Sequence, residues 1–376
     1  MPRSQYIHDQ LDHRFRQLRL LTIGDSDENS EVDLKKKFRC TIETYYVDEG
    51  DGVGPVLPAY VALSYCWGEE FPKRTIEING EDFEVGENLH HFLCHTRATG
   101  IHPWDERETC IWIDQICVDQ SNNKEKSYFV GFMSTIFSNA TSVLSWLGND
   151  PNSEQAARDF NAKKSVSALI HLLRNPYFSR MWIIQEVLLA QEVQVLCGRI
   201  WISFAEMQQC MTRNSQVELS VENASASLLW DYHKNQQTRN LAQCVERYHR
   251  NICKLPQDKV YALQGLVRAE ERLNVDYDES VALTCVRAMR SIYRTISTST
   301  GYREEREVPG LVAVFIFLAD SMGYPSATRQ HLYELTTWIP YHGFEKWFEG
   351  ALILLRKSGD HPVIKHLETE IKELRL

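Results

Sequence analysis

The residues best suited to chemistry lie in the stretch Tyr177-Phe178-Ser179-Arg180-Met181-Trp182-Ile183-Ile184-Gln185-Glu186. Read as the start of a helix, it sets Ser179, Trp182 and Glu186 on one face at i, i+3 and i+7. An aromatic plane and a carboxylate one turn apart suit a flat cationic heterocycle and can stabilise positive charge on an attached sugar. The structural alternative places Trp182 in the core and Glu186 in a solvated ion pair, because paired carboxylates are often structural. These residues alone leave both readings open.

Elements must exist to position them. Ala59-Tyr60-Val61-Ala62-Leu63-Ser64-Tyr65-Cys66-Trp67-Gly68 is apolar, rich in strand formers and halted by glycine. Ile111-Trp112-Ile113-Asp114 is shorter and closes on an aspartate, and Ser142-Val143-Leu144-Ser145-Trp146-Leu147-Gly148 is a third run. Continuous apolar runs of this kind suit parallel strands buried on both faces. In open α/β sheets the ligand crevice forms outside the carboxyl ends of such strands. Ser64, Tyr65, Gly68 and Asp114 are therefore where a site is expected.

Between these runs the periodicity turns helical. Leu89, Phe92 and Leu93 follow a Gly-Glu-Asn turn, and Phe129, Phe132, Met133, Ile136 and Ala140 repeat with helical spacing. Strand and helix alternate, which predicts a parallel sheet built from βαβ units with right-handed crossovers. Glu192 to Phe204 reads as a hairpin turning at Cys197-Gly198-Arg199.

On these residues the chain resembles the fungal heterokaryon incompatibility (HET) domain family. The opening element is similar to Phe15-Arg16-Gln17-Leu18-Arg19-Leu20-Leu21. The first signature resembles Tyr60 to Gly68, the second Ile111 to Gln120 running on to Trp146-Leu147-Gly148, and the third Arg180 to Glu186. Asp258 to Leu266 with Val275-Asp276-Tyr277 resembles the region that usually follows the domain, and Thr337-Trp338-Ile339-Pro340 a weak later motif. Two positions depart from the family pattern: a frequent glutamine is Phe129 here, and a common tyrosine is Phe137. Those changes either alter core side chains or touch a loop that gates the pocket.

The family is in turn similar to Toll/interleukin-1 receptor (TIR) domains, which implies a TIR-like, flavodoxin-like parallel sheet flanked by helices. Several TIR domains cleave NAD at the nicotinamide–ribose bond with one glutamate, four positions after a tryptophan and shortly after a serine. Ser179, Trp182 and Glu186 reproduce that arrangement, and Leu63-Ser64-Tyr65 is similar to the end of the TIR first strand. The resemblance implies an incompatibility and cell-death effector for which NAD is a substrate, with no retained cofactor. Glu186 is then the catalytic residue and Trp182 the pocket wall. Ser64, Tyr65, Trp67 and Gly68 line the opposite side, with Ser179 and Gln185 in the same binding set. Asp114 either binds a ribose hydroxyl or caps the turn that follows it. Arg180 either contacts phosphate or orders its loop through an ion pair. A rival implication is a non-catalytic interaction module that signals by assembling with copies of itself or with partner proteins. Its contact loops lie near Trp67-Gly68 and Asp119-Gln120.

Composition narrows the field. A formal charge of −10 over 376 residues argues against a nucleic-acid surface. The run Gly310 to Ala319 is too short to span a bilayer, and the polar N-terminus lacks a signal peptide, so a soluble cytoplasmic protein is expected. The ten cysteines include no C-x-x-C pair and read as reduced. His90, His91, Cys94 and His95 invite a metal reading, but no distant partner completes a motif, and no metal is expected. Residues 1–205 are expected to form the HET (TIR-like) domain and 206–376 a mainly helical extension. Gly301 to Pro309 reads as a loop, and Lys357 to Leu376 as an amphipathic helix.

Overall fold

The three apolar runs become neighbouring strands at the centre of one sheet. In the computed structural model, which describes residues 4–12, 15–23, 37–47, 57–99, 110–214, 223–232, 239–298, 304–323 and 350, the strands are β1 (Gln17–Ile23), β2 (Arg39–Tyr46), β3 (Val61–Tyr65), β4 (Lys73–Ile78), β5 (Glu81–Gly86), β6 (Cys110–Trp112), β7 (Ser142–Trp146), β8 (Val193–Cys197) and β9 (Ile200–Ser203). They form a sheet in the order β5-β4-β2-β1-β6-β3-β7-β8-β9. Every residue of β3, β6, β7 and β8 is buried, as strands covered on both faces require.

These four strands run parallel, with β3 between β6 and β7, and β8 beyond β7. Taken alone, their spatial order is second, first, third, fourth. Strand order reverses at β3, which makes the β3/β7 gap a topological switch point. The crossovers carry α1 (Glu87–Thr99) before β6, and α2 (Asp114–Cys117), α3 (Asn123–Gly131) and α4 (Met133–Asn139) before β7. α5 (Pro151–Lys163), α6 (Val166–Leu173) and α7 (Ile183–Leu188) precede β8.

The expectation of a parallel sheet needs correction, because the whole sheet is mixed. β1 is antiparallel to both β2 and β6, and β4 with β5 and β8 with β9 form antiparallel hairpins. Two-residue turns force that pairing. The β4–β5 turn is Asn79-Gly80, both at positive φ (51° and 89°), the geometry that favours an Asn-Gly pair. The β8–β9 turn falls at Gly198-Arg199, as the sequence indicates. Residues 4–6 close part of the far edge: the Tyr6 amide donates to Asp82 O, and the Asp82 amide to Ser4 O.

A buried ion pair ties the opening segment to the second signature. The Arg19 guanidinium donates to Glu125 at 2.5 Å, to Cys117 O at 2.9 Å and to Asp9 O at 2.6 Å. Glu125 also accepts from the Asp119 amide at 2.7 Å. The helical stripe predicted through residues 129–140 is interrupted at Phe132, where φ is −126°, and so becomes α3 and α4. Phe129 and Phe137, the two departures from the family pattern, are both buried.

The chain divides into compact units Met1–Lys234 and Asn235–Leu376. The sheet ends at Ser203, where the sequence changes character, but the first unit continues through α8 (Phe204–Arg213) and α9 (Asn223–Asp231). α9 packs against α8, α7 and the turn before α7. In the second unit, α10 (Leu241–Tyr248) has an Asn240/Gln243 capping box, and buried Glu271 accepts from the Leu241 amide. α12 (Val281–Thr298) and α13 (Glu304–Ser321) pack with α10, while α11 (Asp258–Tyr261) is a single turn. α13 overrides the loop expected at Gly301 to Pro309 from Glu304 onward and takes in the apolar run 310–319. Thr337 to Pro340 and Lys357 to Leu376 lie outside the described residues.

Candidate functional site

Glu186 sits in the first turn of α7, whose C-terminus leads into β8. That direction brings the start of α7 to the carboxyl ends of the parallel strands. The expected single helical face does not form. Pro176–Ser179 is a separate 3-10 turn and Arg180 is extended (φ −70°, ψ 144°), so Ser179 leaves the face. Its hydroxyl donates locally to Pro176 O at 2.8 Å. Trp182 and Glu186 remain one turn apart, linked by the Glu186 amide donating to Trp182 O. Trp182 is half-buried.

Glu186 is only 6% exposed, and its partners come from distant parts of the chain. The Ser64 hydroxyl, near the carboxyl end of β3, donates to Glu186 Oε2. Arg180 Nη1 lies 3.7 Å from the same oxygen. Both contacts use Oε2, and among the described residues no hydrogen bond engages Oε1. Burial raises the Glu186 pKa above the ordinary carboxyl range, with Arg180 and Ser64 opposing the rise and Asp114 adding to it. Of the two readings for Arg180, its position supports the ion pair.

Behind Ser64 lies a buried chain of hydroxyls. Tyr177 Oη is 2.8 Å from Ser64 Oγ and 2.8 Å from Ser145 Oγ on β7, so the phenol bridges the two strands of the switch point. Asn88, in the first turn of α1, bridges the same strand ends: its Nδ2 donates to Cys66 O at 2.7 Å, and its Oδ1 accepts from Trp146 Nε1 at 2.9 Å. Gly68 and Gly148 take positive φ (78° and 92°) directly over Asn88.

A second cluster surrounds Asp114 after β6. Its Oδ2 accepts from the indole of Trp67 at 2.9 Å and its Oδ1 from the Gln115 amide at 2.7 Å. Tyr65 donates to Gln115 Oε1 at 3.2 Å. Burial raises the Asp114 pKa, while Arg180 and the Trp67 hydrogen bond lower it. Asp114 therefore anchors an exposed tryptophan, while the turn it opens has no side-chain cap.

Of the expected site residues, Ser64, Arg180 and Glu186 come together, and Tyr65, Trp67 and Asp114 gather beside them. Gly68 shapes a turn. Gln185 is buried, and neither polar atom of its amide has a hydrogen-bond partner among the described residues. Tyr177, Ser145, Asn88 and Gln115 escaped the sequence reading. The pattern held a hint for Ser145, since Ser64 and Ser145 interrupt two apolar strands at matching positions and are register partners. The histidine group on α1 has other partners: His95 stacks on Trp146, and His90 lies 3.7 Å from the Cys94 sulfur. Among the described residues no group of three or more His, Cys, Asp or Glu is placed to hold a metal ion.

A mixed α/β sheet thus gathers a buried carboxylate, a cation and hydroxyls at its switch point, the place where open α/β sheets receive their ligands. Residues 60–186 match the family described as heterokaryon incompatibility protein (HET). The matched segment starts at the strand that presents Ser64 and ends on Glu186 itself. The chain is also 36% identical over 100 residues to heterokaryon incompatibility protein 6, OR allele, of Neurospora crassa. The aligned stretch covers 24% of this chain and 14% of that protein. No solved structure matches the chain at a significant level. Among the described residues no helix is long and apolar enough to cross a membrane.

Proposed function

We propose that this chain is an incompatibility and cell-death effector that hydrolyses NAD, or a related nucleotide of the cytoplasm, at the nicotinamide–ribose bond. The observation that carries the reading is Glu186, a buried carboxylate held through Oε2 by Ser64 and Arg180 at the strand ends, with Oε1 left for a ligand. The parallel order second, first, third, fourth is that of a flavodoxin-like sheet and supports the TIR-like reading.

In the proposed reaction the C1′–N bond of the nicotinamide riboside breaks, and its electron pair neutralises the pyridinium. The sugar gains oxocarbenium character facing the Glu186 carboxylate, and water then adds at C1′ and releases a proton. A cationic leaving group departs neutral without a general acid, so one fixed anion supplies much of the stabilisation. Trp182 gives an aromatic wall for the cationic ring, and Arg180 holds the carboxylate in place.

The test is NAD loss in lysate containing the chain at high concentration. Glu186→Gln is expected to cut the rate by about 10²–10³-fold with its circular dichroism spectrum unchanged. Equal loss with parent and variant would remove Glu186 from the chemistry.

The self-assembling module is favoured by one specific observation, the exposed Trp67 and Phe71 (70% accessible) on the loop after β3. Cell death that persists without NAD loss and disappears on Phe71→Ser would establish it instead.

A further inference from the structure

With Glu186 ionised, counting protons along the buried hydroxyl chain sets its direction. Ionised Glu186 only accepts, so Ser64 gives it the single hydroxyl proton it has. Ser64 must then accept from Tyr177, and Tyr177, its proton spent, must accept from Ser145. All three O–H dipoles therefore point toward Oε2. Ser64 and Ser145 are 1% and 0% exposed and the Tyr177 ring is fully buried, so water does not compete with this order. Burial also raises the Tyr177 pKa, which keeps the phenol a donor.

We infer that Tyr177 and Ser145 are positioning residues for Glu186: through Ser64 they align a relay of hydroxyls that keeps the buried carboxylate ionised and turns its Oε1 outward. This assignment rests on the reading of Glu186 as the site's working group, but its physical content is independent of substrate. Aligned hydrogen bonds polarise one another, so each hydroxyl strengthens the next. The other titratable or charged groups that face Glu186 are Arg180 ahead of α7, Asp114 after β6, and Tyr65 and Cys66 at the end of β3. Only Arg180 among these favours the anion, and it stands 3.7 Å away. The relay supplies the direct hydrogen bond that the cation does not.

The measurement is the pH titration of the Glu186 side-chain carboxyl by NMR, in full-length protein labelled with carbon-13 at glutamate Cδ. Loss of one resonance in Glu186→Gln assigns the signal. Tyr177→Phe keeps the ring and removes the middle hydroxyl, and is expected to raise the midpoint by about half to one pH unit. Ser145→Ala, one bond further out, is expected to raise it by less and provides the reading should Tyr177→Phe not fold. Tyr60→Phe is the control, since it deletes a buried phenol that donates to Ile136 O outside the relay. An unmoved midpoint in Tyr177→Phe or Ser145→Ala, or an equal rise in Tyr60→Phe, overturns the assignment. The NAD assay stands apart: a shifted midpoint in a chain that spares NAD keeps the relay and removes the hydrolase.

Discussion

At the scale of single residues, burial sets the charge of Glu186 against the stability of the fold. Its carboxyl pKa is raised by burial, so its contribution to stability is complete below the ordinary glutamate value of 4.5 and is lost as pH rises through the raised native value. Ionising the side chain therefore costs more free energy in the native state than in the unfolded chain. Glu186→Gln should melt at a higher temperature than the parent at pH 7.5, and the advantage should shrink as pH falls below 4.5. A parent that is more stable than the variant at neutral pH would mean that Ser64 and Arg180 outweigh burial. The carboxylate itself was legible from its spacing to Trp182. Its support was not, because Tyr177 stands in an aromatic run that reads as core, and no local pattern ties it to Ser64 or Ser145, 113 and 32 residues away.

At the scale of elements, apolar continuity marked β3, β6 and β7, and helical spacing marked α1 and the α3–α4 stripe. The hairpin of β4 and β5 was equally available through Asn79-Gly80, a strong short-range turn signal. The antiparallel placement of β1 was not readable, since pairing across the sheet depends on partners far along the chain. Nor was the break at Arg180, where good helix formers follow an extended residue and tertiary contacts decide the backbone. Asn88 shows how an element end can act as a fastener, because α1 starts where β3 and β7 finish. Asn88→Ala removes the hydrogen bonds to Cys66 O and from the Trp146 indole. A buried indole donor left without its acceptor costs about 1–3 kcal/mol, readable as a lower urea midpoint with altered tryptophan emission. A change within about 0.5 kcal/mol, the range of ordinary surface substitutions, would show that Asn88 is dispensable to the junction.

At the scale of the whole molecule, the family match and the physical unit end at different places. The match stops at Glu186, the sheet at Ser203, and the compact unit at Lys234. Phe204, Met207, Cys210 and Met211 of α8 are buried, and Leu228 and Leu229 of α9 lie fully inside. Ser225 donates to Leu173 O at 3.0 Å, and the Phe204 and Tyr232 rings meet edge to face at 4.7 Å. α9 packs on α7 and α8 packs on α9, so together they support the element that carries Glu186. A chain cut after Lys234 is expected to unfold cooperatively in urea, and one cut after Ala205 to lack a sharp transition and bind a hydrophobic dye. Equal cooperativity in the two would place the physical boundary at the end of the sheet.

The short pairing of residues 4–6 with β5 has a consequence for the border of the sheet. An uncovered strand offers its amides and carbonyls to any neighbour of suitable register, which is how sheets extend from molecule to molecule. Here the Asp82 amide and carbonyl, one such docking point on the outermost strand, are already occupied by the protein's own backbone. These few residues thus act as a stopper on that stretch of the edge, and drawing them away would leave its amide and carbonyl open to another strand.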